Sequence, residues 1–307
     1  MKGILRKAKA SDLDALYSIW SVSFDSLGAA IFFDSFFNYE LSHVVECENE
    51  VVAMGYLLPV GELIISSGSS IPCAMIYAVA TLSEYRSHGF GSAISKELIN
   101  TARKSGYPAV VLCPANDKLF DFYSNNTEMK EWFYATEYTF KAPSTGHKHS
   151  QFKKISATDY MILRERFLTS IAHIKLNLRA IEYQSKLCSI LGGGIYQVET
   201  SLGMACAVVE RQSDDLIHIK ELIFSDNMQN SNSHQNQLQN IASDFLLEFP
   251  AKECKIRTPA MNETDNISSA NVTNKSTGKF AMLALPHDLQ KETNNKTTSP
   301  WYGLAFD

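Results

Sequence analysis

The first half of the chain alternates strand-like apolar runs with segments of helical periodicity. Short runs rich in β-branched and aromatic residues predict strands, whereas apolar residues that recur at helical spacing predict helices. The resulting β-α-β-β-β-α-β-α order predicts a mixed sheet flanked by helices. The predicted elements are a strand at 4–8, a helix from Ser11 to Trp20, strands at 42–47, 51–59 and 73–81, a helix at 90–104, a strand at 108–113 and a helix at 117–124.

The second half of the chain echoes the first by element order and not by residue identity. A stretch at 142–150, rich in turn residues and without apolar periodicity, forms the predicted linker. The fold class is therefore predicted as α/β, with two tandem domains that each contain a mixed β-sheet flanked by helices. The elements predicted after the linker are a strand at 152–155, a helix at 159–170, strands at 194–198, 203–209 and 216–224, a helix at 234–248 and a strand at 254–257.

Length and composition agree with this division. The 307 residues suffice for two domains, predicted at 1–145 and 146–307. Hydrophobic residues make up 45% and charged residues 20%, as in a typical globular protein. The net charge of −5, without a segment dominated by lysine or arginine, predicts that nucleic acid is not a partner.

The N-terminal segment and the cysteines indicate a cytoplasmic protein. Ser11, Asp12 and Asp14 precede any long apolar stretch, which fits neither a signal peptide nor a membrane span, so no membrane partner is expected. The oligomeric state stays open. The six cysteines lie singly and without a CxxC pair, which predicts buried thiols and no metal; they are Cys47, Cys73, Cys113, Cys188, Cys206 and Cys254.

The stretch YRSHGFGS, residues 85–92, lies between a predicted strand and a predicted helix. A glycine loop at this place brings unpaired backbone N–H groups to one point, and the helix dipole adds partial positive charge, as in phosphate sites. Gly89 and Gly91 allow a positive φ and a close approach of an anion. The alternative is a plain strand-to-helix turn. The other nucleotide-binding patterns, GxGxxG and GxxxxGK[ST], are absent from this stretch.

Residues 79–93, VATLSEYRSHGFGSA, resemble the acetyl-CoA motif of the GCN5-related N-acetyltransferases, the GNAT superfamily. That motif is an Arg/Gln-x-x-Gly-x-Gly/Ala loop after the fourth strand, and Arg86, Gly89 and Gly91 match it position for position. The resemblance implies acetyl-CoA as co-substrate. It also implies that the loop amides hold the pyrophosphate and that the end of the strand pairs with the pantetheine arm.

A second segment similar to this family is NDKLFDFY, residues 116–123, where an asparagine precedes a Phe-Tyr pair by the family's interval. Tyr123 thereby takes the place of the tyrosine that often protonates the departing CoA thiolate, and a phenol with its ordinary pKa can do so at neutral pH. The alternative is a core aromatic residue. The family's usual Gly-Phe turn is replaced by 124–129. The cofactor-binding residues implied by the two segments are Val79, Ala80, Thr81, Arg86, Ser87, His88, Gly89, Phe90, Gly91, Ser92 and Asn116.

The second half lacks the loop. At the equivalent place it has SDNMQNSNSH, residues 225–234, with neither glycine nor arginine. The chemistry is therefore assigned to the first domain, and the second is predicted to be a degenerate copy with a C-terminal strand.

A general base is not evident in the sequence. The expected acceptor is a primary amine of a small molecule or peptide, which must be neutral to attack a thioester. The strand at 73–81 carries no acid, Glu84 fits a solvated loop residue, and His88 fits a contact with phosphate or solvent. The tandem arrangement resembles the enhanced-intracellular-survival type of acetyltransferases, in which the last carboxylate enters the first domain's site. This implies Asp307 as catalytic base or substrate anchor, and the alternative is a last strand packed in the second domain.

The aromatic segment IFFDSFFNY, residues 31–39, has two interpretations. It either forms core or lines an acceptor pocket in which Asp34 attracts an amine. For the whole chain, the prediction is an acetyl-CoA-dependent N-acetyltransferase that works by direct attack of the amine. The alternative is a non-catalytic acyl-CoA-binding or partner-binding module.

Overall fold

The computed structural model divides the chain into two compact units. Unit 1 comprises Met1–Trp132 and Ala281–Asn294, and unit 2 comprises Phe133–Phe280 and Asn295–Asp307. Each unit contains β-strands packed against helices, so the predicted mixed α/β fold class is confirmed. The residues described are 2–24, 26–65, 68–142, 148–201, 203–225, 234–260, 272–290 and 299–306.

Unit 1 follows the predicted element order, with one additional helix in the aromatic segment. Neighbouring strands from β1 to β4 pair in antiparallel orientation, and β5 pairs with β4 in parallel. The elements are β1 (Ile4–Lys7), α1 (Leu13–Ser23), the additional α2 (Ser26–Ser35), β2 (Ser42–Cys47), β3 (Glu50–Ile64), β4 (Ser70–Thr81), α3 (Phe90–Lys104), β5 (Ala109–Leu112) and α4 (Asp117–Asn126).

The two faces of the unit 1 sheet differ because side chains alternate along a strand. Leu57 and Ile76 belong to the core cluster that also contains residues of α3 and α4. The adjacent residues Tyr56 and Tyr77 point to the opposite face, where both lie within about 6 Å of the Trp20 ring of α1. One face is thus covered by α3 and α4, and the other by an aromatic cluster.

Helix α3 is amphipathic, and the residues at its C-terminus explain where it ends. Ile94, Leu98 and Ala102 recur every four residues and are fully buried. The last turn contains two basic residues, Arg103 and Lys104, and a glycine in the left-handed conformation follows, both of which are typical of a helix C-terminus.

Unit 2 repeats much of this order. Its sheet runs β6-β12-β11-β10-β9-β7, with β11 and β12 parallel. The prediction missed β6, β8, α6, β13 and α8. The first half of β13 is polar and lacks the apolar pattern of a strand. The remaining elements of the chain, of which α8 and the end of β13 belong to unit 1, are β6 (Lys130–Lys141), β7 (Gln151–Lys154), α5 (Ala157–Phe167), β8 (His173–Leu176), α6 (Leu178–Ile190), β9 (Gly194–Thr200), β10 (Gly203–Ser213), β11 (Leu216–Phe224), α7 (His234–Glu248), β12 (Glu253–Pro259), β13 (Val272–Ala284) and α8 (His287–Gln290).

The compact units differ from the predicted ranges 1–145 and 146–307 by the course of two strands. Most of β6 belongs to unit 2, and the end of β13 belongs to unit 1, where residues 282–284 pair with β5. A pairing between strands so distant in the chain leaves no mark in local hydrophobic patterns.

Candidate active site

Strand β4 has a free edge where β5 leaves it. The two strands pair only at Cys73, Ala74 and Met75 of β4. β5 ends at Leu112, whereas β4 continues to Thr81 and keeps its pairing with β3 on the other side. Among the described residues, 79–81 of β4 have no strand partner on the side from which β5 has departed, and an extended ligand could add there as a strand.

A β-bulge lies within this free part of β4. Ala78 and Val79 together oppose Gly55 of β3, and Ala78 has a φ of 48°. A Cβ added at Gly55 would lie 2.6 Å from Ile94 Cγ2 and 3.3 Å from Val79 Cγ2, so α3 packs directly against β3 at this point. Bulges re-aim side chains and increase the local twist, which suits the mouth of a binding site.

The loop after β4 ends in two left-handed residues. A 3-10 turn at Ser83–Tyr85 precedes them, and Ser87 and Gly89 have φ values of 65° and 80°. A Cβ at Gly89 would meet nothing within 4 Å, so the backbone conformation alone favours glycine there. Gly89 is the N-cap of α3, and no side chain caps the helix. The N–H groups of its first turn therefore point at open space, as in anion sites.

Side chains of the loop surround this helix end. Arg86 is exposed, and its Nε donates to the Thr81 carbonyl at 3.2 Å. His88 Nδ1 lies 2.9 Å from the carbonyl oxygen of Arg86 and 3.2 Å from that of Tyr85. Because both neighbours are acceptors, Nδ1 carries a hydrogen. The ring is stacked on Phe90 at 5.7 Å between centroids.

The remaining residues of the predicted cofactor set lie on or next to α3 and α4. Gly91 and Ser92 are half-buried in the first turn of α3, and a Cβ at Gly91 would be 3.7 Å from Phe122 Cζ of α4. Asn116 is the N-cap of α4, and its Oδ1 accepts from the Leu119 amide at 3.2 Å. The structure thus gives Asn116 a capping role, and its contact with a cofactor stays a prediction.

Tyr123 is buried beneath α3. Its side chain is 6% exposed and belongs to the core cluster of unit 1. Burial raises the pKa of Tyr123 to about 12, and a hydrogen bond with Ser95 acts in the opposite direction. The Ser95 hydroxyl donates to the Gly91 carbonyl at 2.7 Å. A chain of polar groups therefore links the phenol to the first turn of α3. Sequence reasoning missed Ser95, although its spacing of four from Gly91 on a helix is a usable signal.

Glu84 is the only carboxylate between β4 and the first turn of α3, a stretch that is described throughout. It is exposed, and its Oε2 accepts from the Ser83 hydroxyl at 2.8 Å. A hydrogen bond from its own backbone amide, then that from Ser83, hold the pKa of Glu84 below its usual range. This geometry suits a residue that stabilises the 3-10 turn.

The aromatic segment forms α2, and its side chains differ in burial. Phe32 and Phe36 are buried, whereas Phe33 and Phe37 are half-buried. Phe32 packs on Trp20 at 4.8 Å between centroids. The segment is therefore core on one side and accessible on the other, and Asp34 is exposed.

Asp307 lies outside the described residues, but the segment before it is defined. Residues 299–306 are nearly all buried in unit 2, and Trp301 Nε1 donates to Glu221 Oε1 at 2.7 Å. In place of the predicted C-terminal strand, the described part of this segment has one isolated bridge, between Trp301 and His173. The role of Asp307 stays a prediction.

The equivalent place in unit 2 is filled by side chains. β11 has a bulge at Lys220, whose Nζ lies 3.3 Å from Glu210 Oε2. Gln184 of α6 donates to Glu210 Oε1 at 2.8 Å, and burial raises the pKa of the adjacent Cys188 thiol. The glycine-free loop predicted at 225–234 lies, except for its two end residues, outside the described part of the chain.

The described residues include neither a metal-binding cluster nor a membrane-spanning helix. None of their groups of His, Cys, Asp and Glu could hold a metal ion. No helix among them combines the length and apolar character that a membrane crossing requires. Five of the six cysteines are buried, as predicted, and Cys113 after β5 is half-buried.

Comparison with known proteins identifies the class of unit 1. Residues 5–125 match the family model described as "Acetyltransferase (GNAT) domain". The match extends from β1 to the penultimate residue of α4 and includes the loop and Tyr123. This stretch of unit 1 is therefore similar to a GNAT-type acetyltransferase domain, and the resemblance predicted from the sequence is confirmed. A search of curated proteins found no match.

Solved structures show the same fold over nearly the whole chain. A GCN5-related N-acetyltransferase from Kribbella flavida superposes with a TM-score of 0.62 at 16% identity, covering 92% of this chain and 70% of that chain. One from Anabaena variabilis gives a TM-score of 0.63 at 15% identity, with coverage of 92% and 72%. Eis1 from Mycobacterium abscessus gives 0.58 at 12% identity, with coverage of 93% and 74%.

Proposed function

We propose that the protein is an acetyl-CoA-dependent N-acetyltransferase that transfers an acetyl group to a primary amine by direct attack. The observation that carries this proposal is the continuity of three features. The free edge of β4 runs into a loop with left-handed Ser87 and Gly89, and the loop runs into the uncapped N-terminus of α3. Together they suit a long ligand that is amide-like at one end and anionic at the other.

Residues of unit 1 divide the proposed binding of acetyl-CoA between them. The backbone of Val79, Ala80 and Thr81 would pair with the pantetheine arm. The amides from Ser87 to Ser92 would hold the pyrophosphate, where Gly89 leaves the approach open, and the exposed Arg86 would add positive charge. Acetyl-CoA itself supplies the activated acyl group as a thioester.

The proposed reaction is a single transfer. The neutral amine nitrogen attacks the thioester carbonyl, the new C–N bond forms, and the C–S bond breaks with release of the thiolate. Tyr123 donates a proton to this sulfur, and the nitrogen loses one to a base. With a pKa of about 12, Tyr123 is protonated at neutral pH and can serve as acid. Its link through Ser95 to Gly91 supports a second role, in which it positions the first turn of α3.

Asp307 is our candidate for the base or substrate anchor. Asp307 itself lies outside the described residues, and the segment before it is buried in unit 2, where Trp301 and Tyr302 are fully buried. Deletion of Asp307 alone tests this role, since removal of 303–307 would also remove the buried Leu304 and Phe306. We expect a lower turnover number with unchanged unfolding temperature. Full turnover after the deletion would dismiss Asp307 and leave the acetyl-CoA site untouched.

The alternative function, an acyl-CoA-binding or partner-binding module, is favoured by one observation. The only carboxylate next to the free β4 edge on its own strand and loop is Glu84, which is exposed and bonded to Ser83. A thiol-release assay with acetyl-CoA and a panel of primary amines separates the two functions. Amine-dependent release of CoA supports the enzyme, and binding of acetyl-CoA without release supports the module.

Binding at the loop has a matched control in the same helix. Gly89 and Gly106 flank α3, have φ values of 80° and 86°, and both face open space. Valine at either position should destabilise the fold by about 1–2 kcal/mol, through the same backbone strain. Only Gly89→Val should weaken acetyl-CoA binding, at least about tenfold if it removes one charge-assisted hydrogen bond. Equal affinities of the two variants in calorimetry would refute the pyrophosphate site.

A further inference from the structure

We propose that the accepted amine carries an aromatic body, which binds to an aromatic wall of unit 1. The proposal rests on the function proposed above and names its substrate class. The wall is formed by six residues from α1, α2, the segment after α1 and β4, which are Tyr17, Trp20, Phe24, Phe32, Phe33 and Tyr77.

The six rings form one connected cluster, in which Trp20 and Phe32 are buried and the other four rings are partly exposed. Tyr17 and Phe33 are stacked, with 4.1 Å between centroids and 26° between planes. Trp20 links them to the rest, at 5.8 Å from Phe33 and 5.4 Å from Phe24. Phe32 stands 5.6 Å from Tyr77, which joins the helices to the sheet. Such a surface binds flat apolar groups through area burial and ring stacking.

The wall borders the part of β4 where the pantetheine arm is proposed to pair. Tyr77 is the residue directly before the bulge of Ala78 and Val79, at the start of the free β4 edge. Its side chain points away from the α3 face, because Ile76 occupies that face. An acyl group along this edge would thus have the loop before α3 on one side of the sheet and the aromatic wall on the other.

The wall is accessible, and an apolar border continues it. Tyr17, Phe33 and Tyr77 are half-buried, so each keeps part of its ring open. At the junction of α1 and α2, Phe24 is 40% exposed and Leu27 is 49% exposed, and Val22 nearby is 70% exposed. Large apolar side chains in such a group are unusual on a surface and mark binding sites.

The charges around the wall do not suit a polycationic acceptor. Asp12 and Glu46 are engaged by Arg6, and Glu40 by Lys7. In the described residues from α1 to β2, the carboxylates outside ion pairs are Asp14 and Asp34, both exposed and neither part of the wall. Recognition here therefore depends on apolar contact more than on paired charges.

The experiment compares specificity constants for 2-phenylethylamine, tryptamine, n-butylamine and spermidine in the thiol-release assay with the full chain. We expect the two aryl amines to exceed n-butylamine and spermidine by about tenfold. Phe33→Leu, which keeps the apolar volume and removes the stack with Tyr17, should reduce this preference by about threefold to tenfold. Phe152→Leu is the control, because Phe152 stacks on Phe245 at 4.0 Å within unit 2. It should leave the preference unchanged.

The outcomes separate this inference from the function on which it rests. If spermidine or n-butylamine is preferred, or if Phe33→Leu binds acetyl-CoA and keeps the aryl preference, the aromatic site is refuted and the enzyme stands. If acetyl-CoA binds and no amine supports release of CoA, the proposed function and the aromatic site both fall. Unfolding temperature and acetyl-CoA affinity, measured for each variant, identify a change that merely damages the fold.

Discussion

The bulges of β4 and β11 occupy equivalent places in two units of similar element order, but different side chains surround them. In each unit the bulge follows the last pair with the parallel neighbour strand, at Met75 in unit 1 and Ile219 in unit 2. The β4 bulge consists of Ala78 and Val79, both half-buried. The β11 bulge consists of Lys220, which is 1% exposed. The two bulges therefore share a backbone geometry but differ in the size and charge of their side chains.

The comparison shows which side chains allow a ligand to bind where two parallel strands separate. In unit 2, Lys220 is paired with Glu210, and Gln184 donates to the same carboxylate. A ligand there would have to displace an ion pair from a low-dielectric interior. In unit 1 the small side chains leave the strand edge free. The divergence of parallel strands is thus common to both units, and the size and charge of the bulge residues decide whether it can serve as a site.

The sheet face next to α1 and α2 in unit 1 also differs from the face next to α5 in unit 2, because the first is partly open and the second is filled by polar side chains. On its α1 and α2 side, unit 1 has an aromatic surface that is partly open. In unit 2, Arg164 Nε and the Tyr160 hydroxyl of α5 donate to Glu221 Oε2 at 2.8 and 2.6 Å, and all three residues are fully buried. The other oxygen of Glu221 accepts from Trp301. Unit 2 uses its polar interior to hold residues 299–306, whereas unit 1 keeps an apolar surface for contact.

The largest expected effect comes from removing the buried ion pair at the β11 bulge of unit 2. Lys220→Met leaves Glu210 buried without its cation and should lower the free energy of unfolding by about 3–5 kcal/mol. Adding Glu210→Leu should recover most of this loss, because both buried charges are then gone. Denaturant unfolding measures both changes.

A surface ion pair of unit 2 serves as control for the buried one. Lys252 and Asp215 are both exposed and lie 2.7 Å apart, so Lys252→Met should leave stability unchanged within error. If Lys220→Met behaves like Lys252→Met, the bulge of unit 2 is not occupied by an ion pair that matters, and the contrast between the units fails.

The next largest effect concerns the candidate site of unit 1. Tyr123→Phe keeps the ring in the core but removes the proton donor, so the turnover number should fall by about 100-fold. Because the pKa of Tyr123 is about 12, the wild type should show no loss of turnover from this group until the pH approaches that value. Steady-state thiol release across pH measures both.

Tyr183→Phe provides the matched control, since Tyr183 is a fully buried tyrosine of unit 2. It should leave turnover unchanged. If Tyr123→Phe instead weakens acetyl-CoA binding at constant turnover, the phenol positions α3 through Ser95 and is not the acid.

The smallest expected effect is a pH dependence of stability confined to unit 1. His43 of β2 is paired with Gly55 opposite the bulge, and burial lowers its pKa, against the influence of Glu97. The unfolded chain therefore takes up this proton before the folded one does. Stability should decline as pH falls below the unfolded value of about 6.5 and level off below the folded value.

Hydrogen exchange of β2 and β3 amides measures this decline, and His43→Gln should abolish it. Amides of β9 and β10 in unit 2 serve as internal reference. An unchanged slope in His43→Gln would mean that other groups cause the pH dependence.

Local features of the sequence determined the element order, the loop and the family resemblance. Apolar periodicity, capping residues and the Arg86, Gly89 and Gly91 spacing act over a few residues, and local sterics and hydrogen bonds largely decide their conformation. For this reason most strands, the main helices and the class of the loop were predictable, whereas β6, β8, α6 and the polar β13 were not.

Only the tertiary structure decided where β5 leaves β4, how Tyr123 connects to Ser95, and which side chains fill the two bulges. These features join residues far apart in the chain, such as Glu210 with Gln184 and Tyr77 with Trp20. Their free energies depend on burial and on which strands become neighbours, and a local pattern contains neither. The sequence therefore determined which groups are available for chemistry, and the packing of the sheet determined that unit 1 keeps its site open while unit 2 fills the equivalent place.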